Sequence, residues 1–347
     1  MTWSVGVRRG VHVRLCYPIG RALLLILTLA TPSAAQDSHL LVVTGLEGDA
    51  EHGDRFFEWA SRLVDTVRTK FQLPAEQVIF LSEKPERDPK KITGRATRDA
   101  IDKALASVAA RAKPTDVVFV VLFGHGSSDG SDARFNLPGP DLGAADFAKL
   151  LGRFQTQRVV FVNTTSSSGE FVKALSGPRR TILTATRTGA ERFDTQFGAF
   201  FVEAIAGDAA DGNKDRRVSV LEAFLYARGQ VQRTFEKQGF LQTEHALLDD
   251  DGDGEGIQDP DVLKPDGRVA ATLYLGTSPI TGASGAPITD PAIKALYEER
   301  VALERRISEL GAIKSTMPPE KYEAELEKLA TELALKNRDI KQREDKK

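Results

Sequence analysis

Asp116-Val117-Val118-Phe119-Val120-Val121-Leu122-Phe123-Gly124-His125-Gly126 is the stretch on which the fold turns. Asp116–Phe123 (DVVFVVLF) is nearly all apolar, the pattern of a central strand covered on both faces. Gly124 and Gly126 then punctuate the chain and leave His125 at the strand's C-terminal end, the edge at which sites form in open parallel sheets. Working outward, similar runs recur at Leu40–Leu46 (LLVVTGL), Gln77–Leu81, Arg158–Val162 (RVVFV) and Arg180–Ala185 (RTILTA). Between them lie stretches with helical periodicity. Gly53–Phe71 carries Phe56, Trp59, Ala60, Leu63 and Val67 on one face, and Arg95–Arg111 carries Ile101, Leu105 and Val108. Ala144–Leu151, Phe197–Ile205 and Val218–Phe235 complete the set. The alternation predicts an α/β fold of three layers, a mostly parallel central sheet with helices on both faces.

The two ends of the 347-residue chain depart from this pattern. Arg8, Arg9, Arg14 and Arg21 precede the apolar run Ala22–Ala30, and the small residues Ser33-Ala34-Ala35 follow it. A basic head, a short apolar stretch and a small-x-small site describe a secretory signal peptide over residues 1–35, and hence a secreted or periplasmic bacterial protein. The alternative is an uncleaved anchor, but nine apolar residues are too few for a span that needs about 20. Cleavage leaves no stable membrane span and removes Cys16, the only cysteine, so the mature chain has no thiol. It also leaves 43 basic against 49 acidic residues, a net charge near −6 that gives no reason to expect nucleic-acid binding. At the other end, 278–291 (SPITGASGAPITDP) reads as a linker after a domain spanning 36–277. In 292–347, Ile293, Leu296, Leu303, Ile307 and Leu310, then Tyr322, Leu326, Leu329, Leu333 and Ile340, recur at three- and four-residue steps. Met317-Pro318-Pro319 separates the two sets, and Arg300 interrupts the first. This predicts a C-terminal α-helical hairpin with a coiled-coil-like seam. It either folds onto its own domain or serves as an oligomerisation or docking element.

Two neighbouring strand ends carry the polar chemistry. Phe123–Gly130 (FGHGSSDG) holds His125, and Val162–Gly169 (VNTTSSSG) holds a run of hydroxyls before a helix. In this order and spacing, Asp116–Gly130 is similar to the histidine-bearing strand of legumain-like and caspase-like cysteine peptidases. Arg158–Gly169 resembles their nucleophile strand, which ends in Glu-Ala-Cys-x-Ser-Gly. Thr181–Arg192 (TILTATRTGAER) resembles the following strand and its pocket loop. The resemblance covers roughly residues 38–277 and implies a caspase-like version of the three-layer fold.

It also implies that His125 is the general base, that the N–H of Gly126 helps form an oxyanion hole, and that Ser166 occupies the nucleophile position. The family's acidic pocket residue becomes Thr164, and its basic pocket residue falls near Gly53, with Arg55 the closest candidate. A thiol beside a histidine works by forming thiolate. A serine hydroxyl instead needs a tightly bonded base held by a third group, and Ser166 is not set in a G-x-S-x-G elbow. Thr164–Ser168 also has a structural reading, in which short hydroxyl side chains cap the open N–H groups of the helix that follows.

Two acidic loops complete the inventory. Asp211–Glu222 fits the twelve-residue EF-hand template, with Asp211, Asn213, Asp215, the carbonyl of Arg217, Ser219 and Glu222 as oxygen ligands for Ca2+. Arg216 stands where the template has glycine. The other reading is an acidic loop capping the helix that starts near Val218. Leu248–Glu255 has the dense Asp/Gly start of such a loop, but Pro260 occupies its twelfth position.

The sequence therefore predicts a legumain/caspase-like domain whose catalytic centre is degenerate, acting as a peptide- or protein-binding module. The alternatives are a hydrolase using Ser166 with His125, and a calcium-responsive structural protein built on the same platform.

Overall fold

In the computed structural model, the residues described are Met1, 37–130, 132–213, 217–276, 290–312 and 317–344. The expected signal peptide apart from Met1, with Cys16, together with Asp215 and all of the expected linker except Asp290 and Pro291, lies outside them. The central sheet has seven strands in the order β3-β2-β1-β4-β8-β9-β10. These are β1 (Ser38–Thr44), β2 (Val78–Ser82), β3 (Gly94–Arg95), β4 (Val117–Phe123), β8 (Arg158–Asn163), β9 (Arg180–Thr184) and β10 (Leu247–Asp249). Every neighbouring pair is parallel except β9–β10. A second sheet of three short strands, β5 (Gly126–Ser128), β6 (Ala133–Phe135) and β7 (Leu142–Gly143), is antiparallel and grows directly from the end of β4.

The unbroken apolar runs have a direct structural cause. Successive side chains of a strand point to opposite faces, and both faces here are covered. Val117, Phe119, Val121 and Phe123 of β4 join Leu40 and Val42 of β1 in one core. There they meet α1 (Ala50–Thr69), α5 (Phe197–Ala206) and α6 (Val220–Gln238). Val118, Val120 and Leu122 join Leu41 and Val43 in a second core with α2 (Arg98–Arg111), α3 (Ala144–Leu151) and α4 (Glu170–Leu175). The expected three-layer arrangement is thus present. In the second core Phe161 of β8 packs between Phe147 and Phe171, with ring centroids 5.2 and 5.9 Å away.

α7 (Pro291–Ala312) and α8 (Pro319–Glu344) pack against each other. They run antiparallel, because Tyr297 near the start of α7 bonds Glu344 at the end of α8 while Arg306 reaches Glu332. Their seam consists of Ile293, Tyr297 and Ile340 in one cluster and Leu303, Leu310 and Leu329 in another. Arg300 folds its guanidinium over the Tyr297 ring, 4.8 Å from the centroid. Among the described residues no helix is long and apolar enough to cross a membrane.

Candidate functional site

Strand order locates the site. From β1 the chain moves to β2 on one side, then returns across the sheet to β4 on the other side of β1 and continues outward through β8 and β9. The reversal lies between β1 and β4, so the loops leaving their C-terminal ends diverge there and leave a crevice. The β1 loop supplies Glu47 and, through the first turn of α1, His52; the β4 loop supplies His125.

His125 is half-buried, and its Nε2 lies 3.2 Å from the carbonyl oxygen of Glu47. Donation of the Nε2 proton to that carbonyl leaves Nδ1 as the acceptor nitrogen of a neutral ring. The ring packs against Phe56 and His52, with centroids 5.2 and 4.7 Å away.

His52 is the residue that sequence reasoning missed. Asp49 is the N-cap of α1, and its Oδ1 accepts the His52 backbone N–H at 2.9 Å. The helix therefore begins three residues before the expected Gly53, and His52 sits in its first turn. The N-cap spacing Asp49-x-x-His52 was the available signal. The ring is bracketed by carboxylates, with Nδ1 2.8 Å from Asp49 Oδ2 and Nε2 2.6 Å from Asp194 Oδ2. The bond to Asp194 is the main reason its pKa is raised, with burial opposing it and Asp49 adding to it. Burial raises Asp194, but the hydrogen bond and charge of His52 outweigh this and hold its carboxyl below the usual range. Arg55, the expected basic pocket residue, points its Nη2 at Asp194 Oδ2 (3.3 Å) and lies over the Trp59 ring.

Ser166 lies on the loop after β8, the strand next to β4, so the structure brings it near Gly126. Its Oγ donates to the Gly126 carbonyl at 3.2 Å, and the residue is 8% exposed. Among the described residues no hydrogen bond joins Ser166 to His125. The following residue, Ser167, has φ 52°, a left-handed conformation that non-glycine residues seldom adopt. It is fixed by its N–H to Glu191 O (2.8 Å) and its hydroxyl to Gly189 O (3.0 Å).

The helix-capping reading of this loop is corrected. α4 has no side-chain cap; the carbonyls of Ser168 and Gly169 accept the N–H groups of Phe171 and Val172. The hydroxyls instead tie the loop to its neighbours. Thr164 Oγ1 donates to Leu122 O, Thr165 Oγ1 to Asn163 Oδ1, and Ser168 Oγ pairs with Thr186 Oγ1. Thr164 is 2% exposed, with its side chain beside Gly198 of α5. Gly126–Gly130 (GSSDG) also fits a G-x-S-x-G string around Ser128, but it forms a short antiparallel strand and turn rather than a strand-to-helix elbow.

Beside Asp194 opens a groove of about 550 Å³ lined by Arg192, Phe193, Asp194, Phe235, Phe240, Leu241 and Thr243. Phe193, Phe240 and Leu241 are 69%, 68% and 90% exposed.

The two acidic loops lie elsewhere. In Asp211–Glu222, both carboxylate oxygens of Glu222 are occupied within the described residues. Oε1 accepts the N–H groups of Gly212 and Asn213, and Oε2 accepts the N–H and hydroxyl of Ser219. Ser219 is the N-cap of α6 and its Oγ accepts the Glu222 N–H, a complete capping box. The arrangement is that of the helix-capping reading; Asp211 is buried, and the Arg217 guanidinium lies 3.5 Å from the centroid of the Tyr274 ring. Glu222→Ala is expected to lower stability by about 1–2 kcal/mol, measured by urea denaturation with chelator present.

In the second loop, Asp249 and Asp251 gather with Asp266, their oxygens within 4.8 Å of one another. Asp249 accepts the N–H groups of Gly252 and Gly254, and Asp266 accepts that of Asp250. Burial and its acidic neighbours push Asp266 up to about 7, against the bond from Asp250.

No protein-family model matches the chain, and no curated protein matches it by sequence.

Proposed function

We propose that this is an exported, legumain/caspase-like domain whose centre binds a peptide or protein segment without cleaving it. The observation that carries the reading is the Ser166 hydroxyl. It donates its proton to the Gly126 carbonyl, while the acceptor nitrogen of His125 has no bond to it. A serine nucleophile needs its proton directed at the base, and the locked turn at Ser167 opposes the required rotation of the loop. Binding is supported by the groove beside Asp194, where three exposed apolar side chains border charged ones. Exposed apolar patches of this kind mark interaction sites, and an extended peptide with an apolar anchor side chain fits this chemistry.

Two measurements test the reading. A fluorophosphonate probe is expected to label the wild type no faster than Ser166→Ala. Labelling that Ser166→Ala abolishes would instead establish the serine-hydrolase alternative, for which His125 is already oriented by Glu47. Fluorescein-labelled peptides from digested casein are expected to bind with measurable anisotropy, and Leu241→Asp to weaken that binding about tenfold, roughly 1.4 kcal/mol. Equal binding by the wild type and Leu241→Asp rules out the groove.

A further inference from the structure

We propose that His52, His125 and Asp194 form a binding site for a borderline transition-metal dication of the Zn2+ class. One ligand atom from each of the three lies within 4.8 Å of the other two. The inference needs neither a peptide ligand nor the family resemblance, because it rests on the side chains alone. Two imidazoles and one carboxylate suit Zn2+, Co2+ or Ni2+ and do not suit Ca2+ or Mg2+, which take oxygen ligands.

One histidine stands on a helix and the other in the short connection between two strands. His52 is held in the first turn of α1, and His125 lies two residues beyond the end of β4. Each ring also has an orienting partner. Asp49 Oδ2 sits 2.8 Å from His52 Nδ1, and the Glu47 carbonyl sits 3.2 Å from His125 Nε2. Carboxylate or carbonyl acceptors on the far nitrogen are the usual supports of metal-binding histidines, fixing the tautomer and presenting the other nitrogen to the ion. Here they leave Nε2 of His52 and Nδ1 of His125.

The ligand atoms of a tetrahedral zinc site lie roughly 3.4 Å apart, so the 2.6 Å pair His52 Nε2–Asp194 Oδ2 must open and any separation near the 4.8 Å limit must close. Asp194 can supply that movement, since its side chain is 54% exposed and sits in a loop without regular structure. Three protein ligands leave a fourth position open to solvent or to a ligand group, as in sites that are not purely structural. Arg55 works against the ion, because its guanidinium lies 3.3 Å from Asp194 Oδ2 and competes for the carboxylate.

The test uses the full chain, stripped with chelator and titrated with Zn2+ by calorimetry. One saturable site is expected. His52→Ala and His125→Ala should each weaken it at least about tenfold, and Asp49→Asn about tenfold through loss of orientation. Arg55→Gln should tighten it, and His245→Ala, outside the cluster, should leave it unchanged. Absence of saturable binding overturns the proposal, as does binding that His52→Ala and His125→Ala leave intact, which marks adventitious surface binding. Melting temperature in chelator shows whether the variants fold. If either melts early, the wild-type Co2+ spectrum decides. An intense four- or five-coordinate visible band supports the site, and the weak spectrum of six-coordinate aqueous Co2+ overturns it.

Discussion

Gly126→Ala is expected to destabilise the protein by roughly 3 kcal/mol or more, at the upper end of overpacking effects. A methyl carbon at this position would lie 2.1 Å from the Ser166 carbonyl oxygen and 2.5 Å from Thr165 Oγ1. Neither can retreat easily. The first is backbone in the turn locked at Ser167, and the second is held by Asn163 Oδ1 at 2.8 Å. Relief therefore requires the β4 and β8 loops to separate, which also breaks the bond from Ser166 to Gly126. The melting temperature should fall by on the order of 10 °C. Gly94→Ala is the control, because its new carbon would meet only Leu81 Cδ2, at an ordinary 3.7 Å. Equal melting temperatures for the two variants would show that the loops are not in the close contact described.

The second large effect concerns pH. Glu244 is buried, and desolvation pushes its pKa up to about 7 from 4.5, with the charge of Glu191 adding to this. The backbone N–H groups of Gln196 and Phe197, at the start of α5, pull the other way. The folded state thus holds this proton over a range in which the unfolded chain has released it. Stability from this group is complete below about pH 4.5 and is lost as pH rises through about 7. The loss amounts to about 3 kcal/mol. In Glu244→Gln that titration is absent. The stability difference between wild type and variant, from urea melts at pH 5, 6, 7 and 8, is expected to shift against the wild type as pH rises. A difference that stays flat would show that Glu244 is ionised throughout.

The large elements were legible because burial on both faces writes itself into the sequence. β4 and β8 are runs in which no position is free to be polar, and the expected strands Asp116–Phe123 and Arg158–Val162 match the observed ones to within one residue at either end. Ala144–Leu151 is reproduced without change, and the two helices of the hairpin break where Met317-Pro318-Pro319 required. The antiparallel strands β5, β6, β7 and β10 were not legible, since two or three residues are too few to show a period.

The site divides in the same way. His125 and Ser166 stand at the ends of unmistakable strands, so both could be named. His52 was lost because α1 was started at Gly53, after the cap that positions it. Asp194 had no signal at all. It lies in an irregular loop 142 residues from His52, and only the folded chain brings them together. The hydroxyl run Thr164–Ser168 was read for its chemistry and for the helix after it. Its partners, Leu122, Thr186 and Gly189, belong to other parts of the fold and are invisible locally.

The division of the β1, β4 and β8 side chains between two cores has an evolutionary consequence. Leu40 and Leu41 are neighbours in sequence yet pack with different helices across a backbone layer that neither side chain crosses. Substitutions in separate cores share no packing partner, so their costs should be close to additive. Each layer can therefore drift at its own pace, one repacking around α1, α5 and α6 and the other around α2, α3 and α4. The loops at the strand ends are anchored to both layers and move with neither alone. A chain built this way can exchange the residues at its strand ends while the scaffold beneath them stays fixed.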